Sequence, residues 1–234
     1  MSTPVPDRSA MQQAVEAASG ACGGVLRAKD CQEVPPEVTF PISAALSDAF
    51  TLACQLHRNR PRTGKNTSYL NHLMAVAALV GESGGSEEEM VAALLHGALA
   101  DGGGTVVLAQ IRSRFGERVA EMILFCSDTE TNGSKSPWLE RKQAYLSGLC
   151  KAPLSALRVA CADKLHNAHT IARDLKSQGP SVFDRFKGDR EGTLWYYRSL
   201  ARVFGSLVQD EPNLDPGFRA MIRELRETVA GLEN

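Results

Sequence analysis

The fold class is decided by the stretch Ser86-Glu87-Glu88-Glu89-Met90-Val91-Ala92-Ala93-Leu94-Leu95-His96-Gly97. Ser86 and Glu89 have the spacing of a capping box, in which the serine hydroxyl and the glutamate carboxylate each accept a hydrogen bond from a backbone N–H at the start of a helix. The apolar residues that follow recur at helical spacing, and the glycines at 102–104 are expected to end the helix. The stretch therefore predicts a helix with a defined beginning and end.

The same helical periodicity continues on both sides of this stretch. Helices are predicted over residues 44–58, 69–80, 105–115, 117–126, 139–149, 154–175 and 193–208, with a last one carrying an apolar stripe from Phe218 to Leu232. Thr105 is expected to cap its helix, and Pro137 and Pro153 are expected to occupy first-turn positions of theirs. No run alternates with the period of a strand, and no segment repeats. We predict an all-α protein, in which residues 1–40 form a weakly structured extension and residues 41–234 form one helical domain.

The overall composition argues against several classes of function. The formal net charge is −1 over 234 residues, so the chain lacks the basic excess that is typical of binding to nucleic acid or to an anionic membrane. No apolar run reaches the roughly 18 residues of a membrane span, and the first residues lack a signal-peptide pattern. The six cysteines form no CxxC pair and are expected to be reduced. We expect a cytoplasmic protein with no nucleic-acid or membrane partner, and a local basic pocket for a phosphorylated small molecule stays open.

Three polar residues stand out because they interrupt apolar helical runs. His72 and His96 lie within such runs, and Asp163 follows an apolar turn. A lone histidine on an apolar face is usually a hydrogen-bonded core residue, but a buried carboxylate is costly unless it is paired or binds a metal. Two imidazoles and a carboxylate on separate helices would form a ligand set for a divalent metal. His166 and His169 are expected on the partly exposed flank of their helix rather than at a second metal site.

Five motif segments follow one another along the chain. They are Tyr69-Leu70-Asn71-His72, Ala92-Ala93-Leu94-Leu95-His96, Arg114-Phe115-Gly116-Glu117-Arg118-Val119-Ala120, Leu139-Glu140-Arg141-Lys142 and Ala162-Asp163-Lys164-Leu165-His166-Asn167. In this order they resemble the RelA/SpoT-type HD domain, and most closely the small stand-alone alarmone hydrolases. The resemblance extends from about Ala44 to Phe204. It implies an HD-domain-like multi-helix bundle.

The resemblance also implies roles for individual residues. The residues that match the metal ligands of the family are His72, His96 and Asp163. The residues that match its nucleotide-binding positions are Arg62, Lys65, Asn167 and Tyr197. The cofactor that the family implies is a divalent metal, with Mn²⁺ as the expected ion. The implied substrate is a guanine nucleotide alarmone, from which the enzyme removes the 3′-diphosphate.

The chain departs from the family pattern directly after His96. The family continues with the aspartate of the HD motif and then with a Glu-Asp pair, whereas this chain has Gly97, Ala100 and Asp101. One carboxylate ligand and one proton acceptor are therefore missing, and a proton acceptor typically contributes ~10²–10⁴-fold in rate. Asp101 lies one helical turn beyond Gly97 and is the acid that remains to position or deprotonate water. Gly97 itself has two explanations: the position has lost its role, or the backbone there must approach a neighbour.

Three functions stay open on these observations. The first is a metal-dependent pyrophosphohydrolase acting on (p)ppGpp, with Asp101 as its catalytic residue. The second is a pseudo-hydrolase that binds an alarmone or a related nucleotide without cleaving it, in which the nucleotide-binding residues matter more than the metal ligands. The third is a hydrolase of another nucleotide, because a function resides in its site rather than in the fold. We rank the first ahead of the others because His72, His96 and Asp163 are retained.

Overall fold

Residues 43–99, 104–127 and 136–233 are described by a computed structural model. The α-helices are, in chain order, α1 (Ala44–Leu56), α2 (Leu70–Glu82), α3 (Glu87–Leu95), α4 (Gly104–Phe115), α5 (Glu117–Cys126), α6 (Trp138–Leu149), α7 (Leu154–Gln178), α8 (Asp189–Asp210) and α9 (Pro216–Gly231). A 3-10 helix, Gly179–Arg185, connects α7 to α8. The described ranges contain no β-strand, and Pro61 and Ser68 form an isolated bridge. The predicted all-α class is confirmed, whereas the predicted extension at residues 1–40 lies outside the described residues.

The start of α3 has the capping box that the sequence predicts. The Ser86 hydroxyl accepts a hydrogen bond from the Glu89 backbone N–H, and the Glu89 carboxylate accepts one from the Ser86 backbone N–H at 2.7 Å. Glu89 also accepts a hydrogen bond from the Arg158 guanidinium of α7 at 3.0 Å. The carboxylate that begins α3 therefore also attaches this helix to α7.

Three other predicted helix starts differ from the observed ones by one or two positions. Helix α4 begins at Gly104, so Thr105 lies inside the helix and does not cap it. Pro137 and Pro153 are the N-cap residues of α6 and α7, not first-turn residues. Their ψ angles of 147° and 156° are extended, which ends the preceding loop just before the helical backbone begins. Neither proline offers a side-chain acceptor, so these two helices begin without a side-chain cap.

Helix α7 is central to the bundle and contacts α2, α3, α5 and α9 along its length. Val159, Ala160, Cys161 and Ala162 are fully buried, and their small side chains let the neighbouring helices approach closely. Asp163 follows directly and is only 5% exposed. A carboxylate at this depth needs compensating partners. They come from α2, from the residue that ends α3 and from α7 itself.

Two expectations from the composition concern membrane spans and the cysteines. Among the described residues, no helix is both long and apolar enough to cross a membrane. The cysteines in the described ranges, Cys54, Cys126, Cys150 and Cys161, are unpaired. Burial raises the pKa of the Cys126 thiol to about 12, so this side chain stays protonated and packs as a small hydrophobic group.

Replacing Ser86 by alanine tests the capping box. Ser86→Ala removes the side-chain acceptor at the start of α3, and we expect the free energy of unfolding to fall by about 1 kcal/mol. Thr105→Ala is the matched control, because Thr105 is exposed inside α4 and alanine favours a helix interior. Urea denaturation followed by circular dichroism measures both variants. An unchanged stability for Ser86→Ala would contradict the assigned cap.

Candidate metal centre

Three side chains from different helices meet in the interior of the bundle. His72 comes from α2, His96 directly follows α3, and Asp163 comes from α7. The Asp163 Oδ1 atom lies 3.1 Å from His72 Nε2 and 3.6 Å from His96 Nε2. One ligand atom from each residue lies within 4.8 Å of the others, and all three residues are buried. Two imidazoles and one carboxylate in this arrangement fit a divalent metal, because nitrogen and oxygen donors of this kind hold such ions in proteins.

The two histidines are oriented by partners on their other ring nitrogen. His96 Nδ1 lies 2.7 Å from the Ala93 carbonyl oxygen, which can only accept, so Nδ1 carries the proton and Nε2 faces Asp163 unprotonated. His72 Nδ1 lies 2.8 Å from His166 Nδ1. The tautomer in which His72 Nδ1–H donates to His166 likewise leaves the His72 Nε2 lone pair for a cation. Partners on the far nitrogen are the usual way in which proteins orient histidine ligands.

His166 therefore contacts the candidate centre, which the sequence analysis missed. The expectation of a half-exposed flank is correct for His169, which pairs with Glu224 at 3.1 Å, but it is incomplete for His166. A signal was present, because His166 lies three residues after Asp163 and so shares its helix face. The structure adds that this face is turned toward His72.

Burial and charge give His72 and Asp163 the protonation states that a metal requires. Burial lowers the pKa of His72 to about 3, against the opposing effect of the Asp163 carboxylate, so this imidazole is neutral. Burial alone would raise the pKa of Asp163, but the ammonium group of Lys164 holds it well below its usual value. The Lys164 ammonium lies 2.5 Å from Asp163 Oδ2. One carboxylate oxygen is thus paired with a lysine, and the other faces the histidines.

Gly97 has a close neighbour in the folded chain. A Cβ atom at this position would lie 2.6 Å from the Tyr69 hydroxyl oxygen and 2.8 Å from its Cε1. The Tyr69 ring is 9% exposed, and the Arg60 guanidinium lies 4.0 Å above its centre. The ring therefore occupies the space that any side chain at 97 would need. Ala100 and Asp101 lie outside the described residues, so the role of Asp101 stays a prediction.

A cavity of about 140 Å³ adjoins the candidate metal centre. Its lining consists of Arg62, Thr63, Asn167, Thr170, Ile171, Arg185, Phe186 and Tyr197. Three of the four predicted nucleotide-binding residues are in this lining, and Asn167 connects the cavity to the metal centre. Its side-chain amide donates to Asp163 Oδ1 at 2.6 Å, while its oxygen accepts a hydrogen bond from Arg62.

The fourth predicted residue, Lys65, is held beside the cavity by a carboxylate that the sequence analysis did not single out. Asp174 of α7 is 4% exposed and lies 2.6 Å from Lys65 Nζ and 2.7 Å from Arg185 Nη1. Arg185 also lines the cavity, as Arg62 does. No motif indicates Arg185, because it reaches this position only through the 3-10 helix that folds back after α7. The cavity therefore has two guanidinium groups where the sequence predicts one.

Replacing Asp174 by asparagine tests how the loop before α2 is attached. Hydrogen bonds from Lys65 and Arg185 outweigh the effect of burial and lower the pKa of Asp174 below its usual 3.8. The folded state is therefore stabilised above about pH 4, and this stabilisation is lost as the pH falls through the lowered pKa. We expect Asp174→Asn to reduce the free energy of unfolding by roughly 2 kcal/mol near neutral pH, and the difference from the native chain to shrink in acid.

The control for this measurement is Asp48→Asn. Asp48 is exposed and lies 3.9 Å from Arg114, so its loss should change stability by less than about 0.5 kcal/mol at any pH. Urea denaturation at a series of pH values measures both variants. A difference for Asp174→Asn that does not depend on pH would contradict the assigned ion pairs.

Comparisons with known proteins show the family of this chain. A family model of the HD domain matches residues 49–194. The chain is similar to the guanosine-3′,5′-bis(diphosphate) 3′-pyrophosphohydrolase MESH1 of Xenopus tropicalis, with 30% identity over 141 aligned residues. The aligned region covers 59% of this chain and 73% of that protein.

Two solved structures share the fold. A metazoan ortholog of SpoT that hydrolyzes ppGpp and plays a role in starvation responses superposes with a TM-score of 0.61 at 21% identity, covering 81% of this chain and 97% of the other. The protein lmo0812 from Listeria monocytogenes EGD-e superposes with a TM-score of 0.56 at 27% identity, covering 68% and 99% of the two chains. The superpositions thus cover nearly the whole length of the two solved structures.

Proposed function

Because the chain belongs to the HD-domain family, we propose that it is a metal-dependent pyrophosphohydrolase that removes the 3′-diphosphate of guanosine tetraphosphate or pentaphosphate. One observation carries the proposal. Asn167 joins the candidate metal centre to a cavity that has cationic groups on its wall, through its bonds to Asp163 and Arg62. A diphosphate in that cavity would lie beside the metal position, in a chain whose relative is named for this reaction.

The residues present suit Mn²⁺, the ion expected for this family. His72, His96 and Asp163 are the candidate ligands, since they are buried and close together. A bound divalent ion would neutralise charge on the diphosphate and make a water a better nucleophile. Lys164 would hold Asp163 in one orientation through its contact with Oδ2, so that Oδ1 stays directed at the histidines.

The cavity provides groups for each part of a guanine nucleotide. Arg62 and Arg185 would bind phosphate oxygens, since guanidinium groups form paired hydrogen bonds to phosphate. The rings of Tyr197 and Phe186 lie in the same lining and offer aromatic surface to the base. Asn167 would orient the nucleoside between these two ends. We propose Lys65 as a further phosphate contact, after exchange of its bond to Asp174.

The site lacks the side chain that accepts a proton in the family. The family's glutamate is replaced by Ala100, and we propose that Asp101 holds or accepts the proton of the attacking water. A second function is favoured by a specific observation, namely the packing of Tyr69 against Gly97, which excludes the missing carboxylate. That packing also suits a protein that binds an alarmone or a related nucleotide without cleaving it.

Pyrophosphate release from guanosine tetraphosphate with excess Mn²⁺ decides between these two functions. We expect release by the native chain and a loss of at least about a hundredfold in Asp163→Ala, which lacks the carboxylate at the centre of the site. Asp48→Asn, an exposed change, is the control. Calorimetric binding of the nucleotide without release of pyrophosphate would contradict the hydrolase and establish the binding protein.

Arg185 provides a test of the cavity that no motif suggests. Arg185→Gln removes a charged donor, and we expect guanosine tetraphosphate to bind about tenfold to a hundredfold more weakly, while guanosine binds as before. Arg202→Gln is the matched control, because Arg202 is exposed in a separate groove between α8 and α9. Isothermal titration of the nucleotides into each variant measures the effect. Equal weakening for guanosine would indicate a damaged fold rather than a lost phosphate contact.

A further inference from the structure

The groove between α8 and α9 lies apart from the candidate metal centre and its cavity. It has a volume of about 800 Å³, and its lining includes Arg198 and Arg202 of α8 and Arg223 and Arg226 of α9. The lining also contains two glutamates, so positive groups outnumber negative ones there. The chain as a whole has a formal net charge of −1, which makes this basic groove a local feature.

Three of the four arginines have no acidic partner in the described ranges. Arg198 pairs with Glu233 at one end of the groove. Arg202, Arg223 and Arg226 are exposed, and no carboxylate of the described residues forms an ion pair with them. Guanidinium groups that line one groove without acids of their own chain are complementary to a negatively charged partner.

Two contacts show how the arginines are arranged across the groove. The ion pair of Arg198 with Glu233 joins the first half of α8 to the residues after α9, so the two helices run antiparallel. Nearer the loop that connects them, Arg226 crosses Gly205, where a Cβ atom would lie 3.6 Å from Arg226 Nε. Arg202 precedes Gly205 by about one helical turn. The side chains of Arg202 and Arg226 therefore enter the middle of the groove from opposite walls.

Small residues lie between these arginines and form the floor of the groove. Ala201 and Gly205 of α8 and Ala230 of α9 belong to its lining. Ala201 and Gly205 are four residues apart and so share one helix face, and small side chains there let a further helix approach closely. The described residues that line the groove include no aromatic ring, so a nucleotide base would have no surface for stacking.

We propose that the groove between α8 and α9 docks an acidic amphipathic helix of another protein. The small apolar floor would receive the apolar face of that helix, and Arg202, Arg223 and Arg226 would pair with carboxylates on its flanks. Arginine is enriched and lysine depleted in protein interfaces, and every cation of this lining is an arginine. The groove shares no residue with the candidate metal centre or the cavity, so this role is independent of the proposed hydrolase.

The probe for this surface is a synthetic helical peptide with blocked ends, which carries alanine and leucine on one face and glutamate on both flanks of that face. Fluorescence anisotropy measures its binding to the full chain. We expect saturable binding that weakens as the salt concentration rises, because the pairs of arginine with glutamate lie near the surface. A peptide of the same composition in scrambled order lacks the continuous apolar face and should bind at least about tenfold more weakly.

Reversal of two charges in the groove gives the sharpest comparison. Arg202→Glu/Arg226→Glu should bind the glutamate peptide at least about tenfold more weakly and should gain binding to an otherwise identical lysine peptide. The matched control is Arg112→Glu/Arg118→Glu, which makes the same change in charge at exposed positions of α4 and α5. It should bind the glutamate peptide as the native chain does. Melting temperatures of both variants show that they are folded.

The proposal is overturned if the glutamate peptide does not bind, or if it binds the native chain and the groove variant equally. Inorganic tripolyphosphate is titrated into the same proteins in parallel. Binding of tripolyphosphate that depends on Arg202 and Arg226, without binding of the peptide, would also overturn the proposal. The groove would then be a site for a small phosphorylated molecule rather than a docking surface.

Discussion

The structure depends on the compensation of one buried charge, the carboxylate of Asp163. In the apolar middle of α7, an unpaired carboxylate would cost several kcal/mol. Lys164 neutralises one of its oxygens, and the other is surrounded by Asn167, His72 and His96. Because these partners come from α2, α3 and α7, the packing of three helices and the geometry of the candidate metal centre are a single constraint. A change in one partner therefore affects both stability and the geometry of the candidate metal centre.

The position of the missing HD aspartate is packed against an aromatic ring. The position after His96 faces the Tyr69 ring, so the backbone approaches a neighbour that leaves no room for a side chain. A carboxylate added there would meet an aromatic ring held between Arg60 and His57.

Beside the candidate metal centre, polar partners hold the cationic side chains of the cavity and its edge in place. Arg62 donates to Asn167, and the pair of Lys65 and Arg185 shares the buried carboxylate of Asp174. These bonds place positive groups at defined positions before an anion arrives, which lowers the conformational cost of binding. They also attach the loop before α2 to α7 and to the 3-10 helix. Pocket electrostatics and the position of that loop are therefore linked.

Local sequence determined the helical class and the capping box at Ser86. Through motifs in a familiar order, it also indicated the candidate metal ligands and three of the residues that line the cavity. These features depend on residues near one another in the chain, or on a resemblance that covers several helices at once. The exact helix starts were less predictable, because a shift of one position at a proline or glycine changes little local energy. Only the tertiary structure decided that Tyr69 fills the space at Gly97, that His166 contacts His72, and that Arg185 faces the cavity. Each of these contacts joins residues from separate elements, and their positions follow from the packing of the bundle around Asp163, which no local pattern specifies.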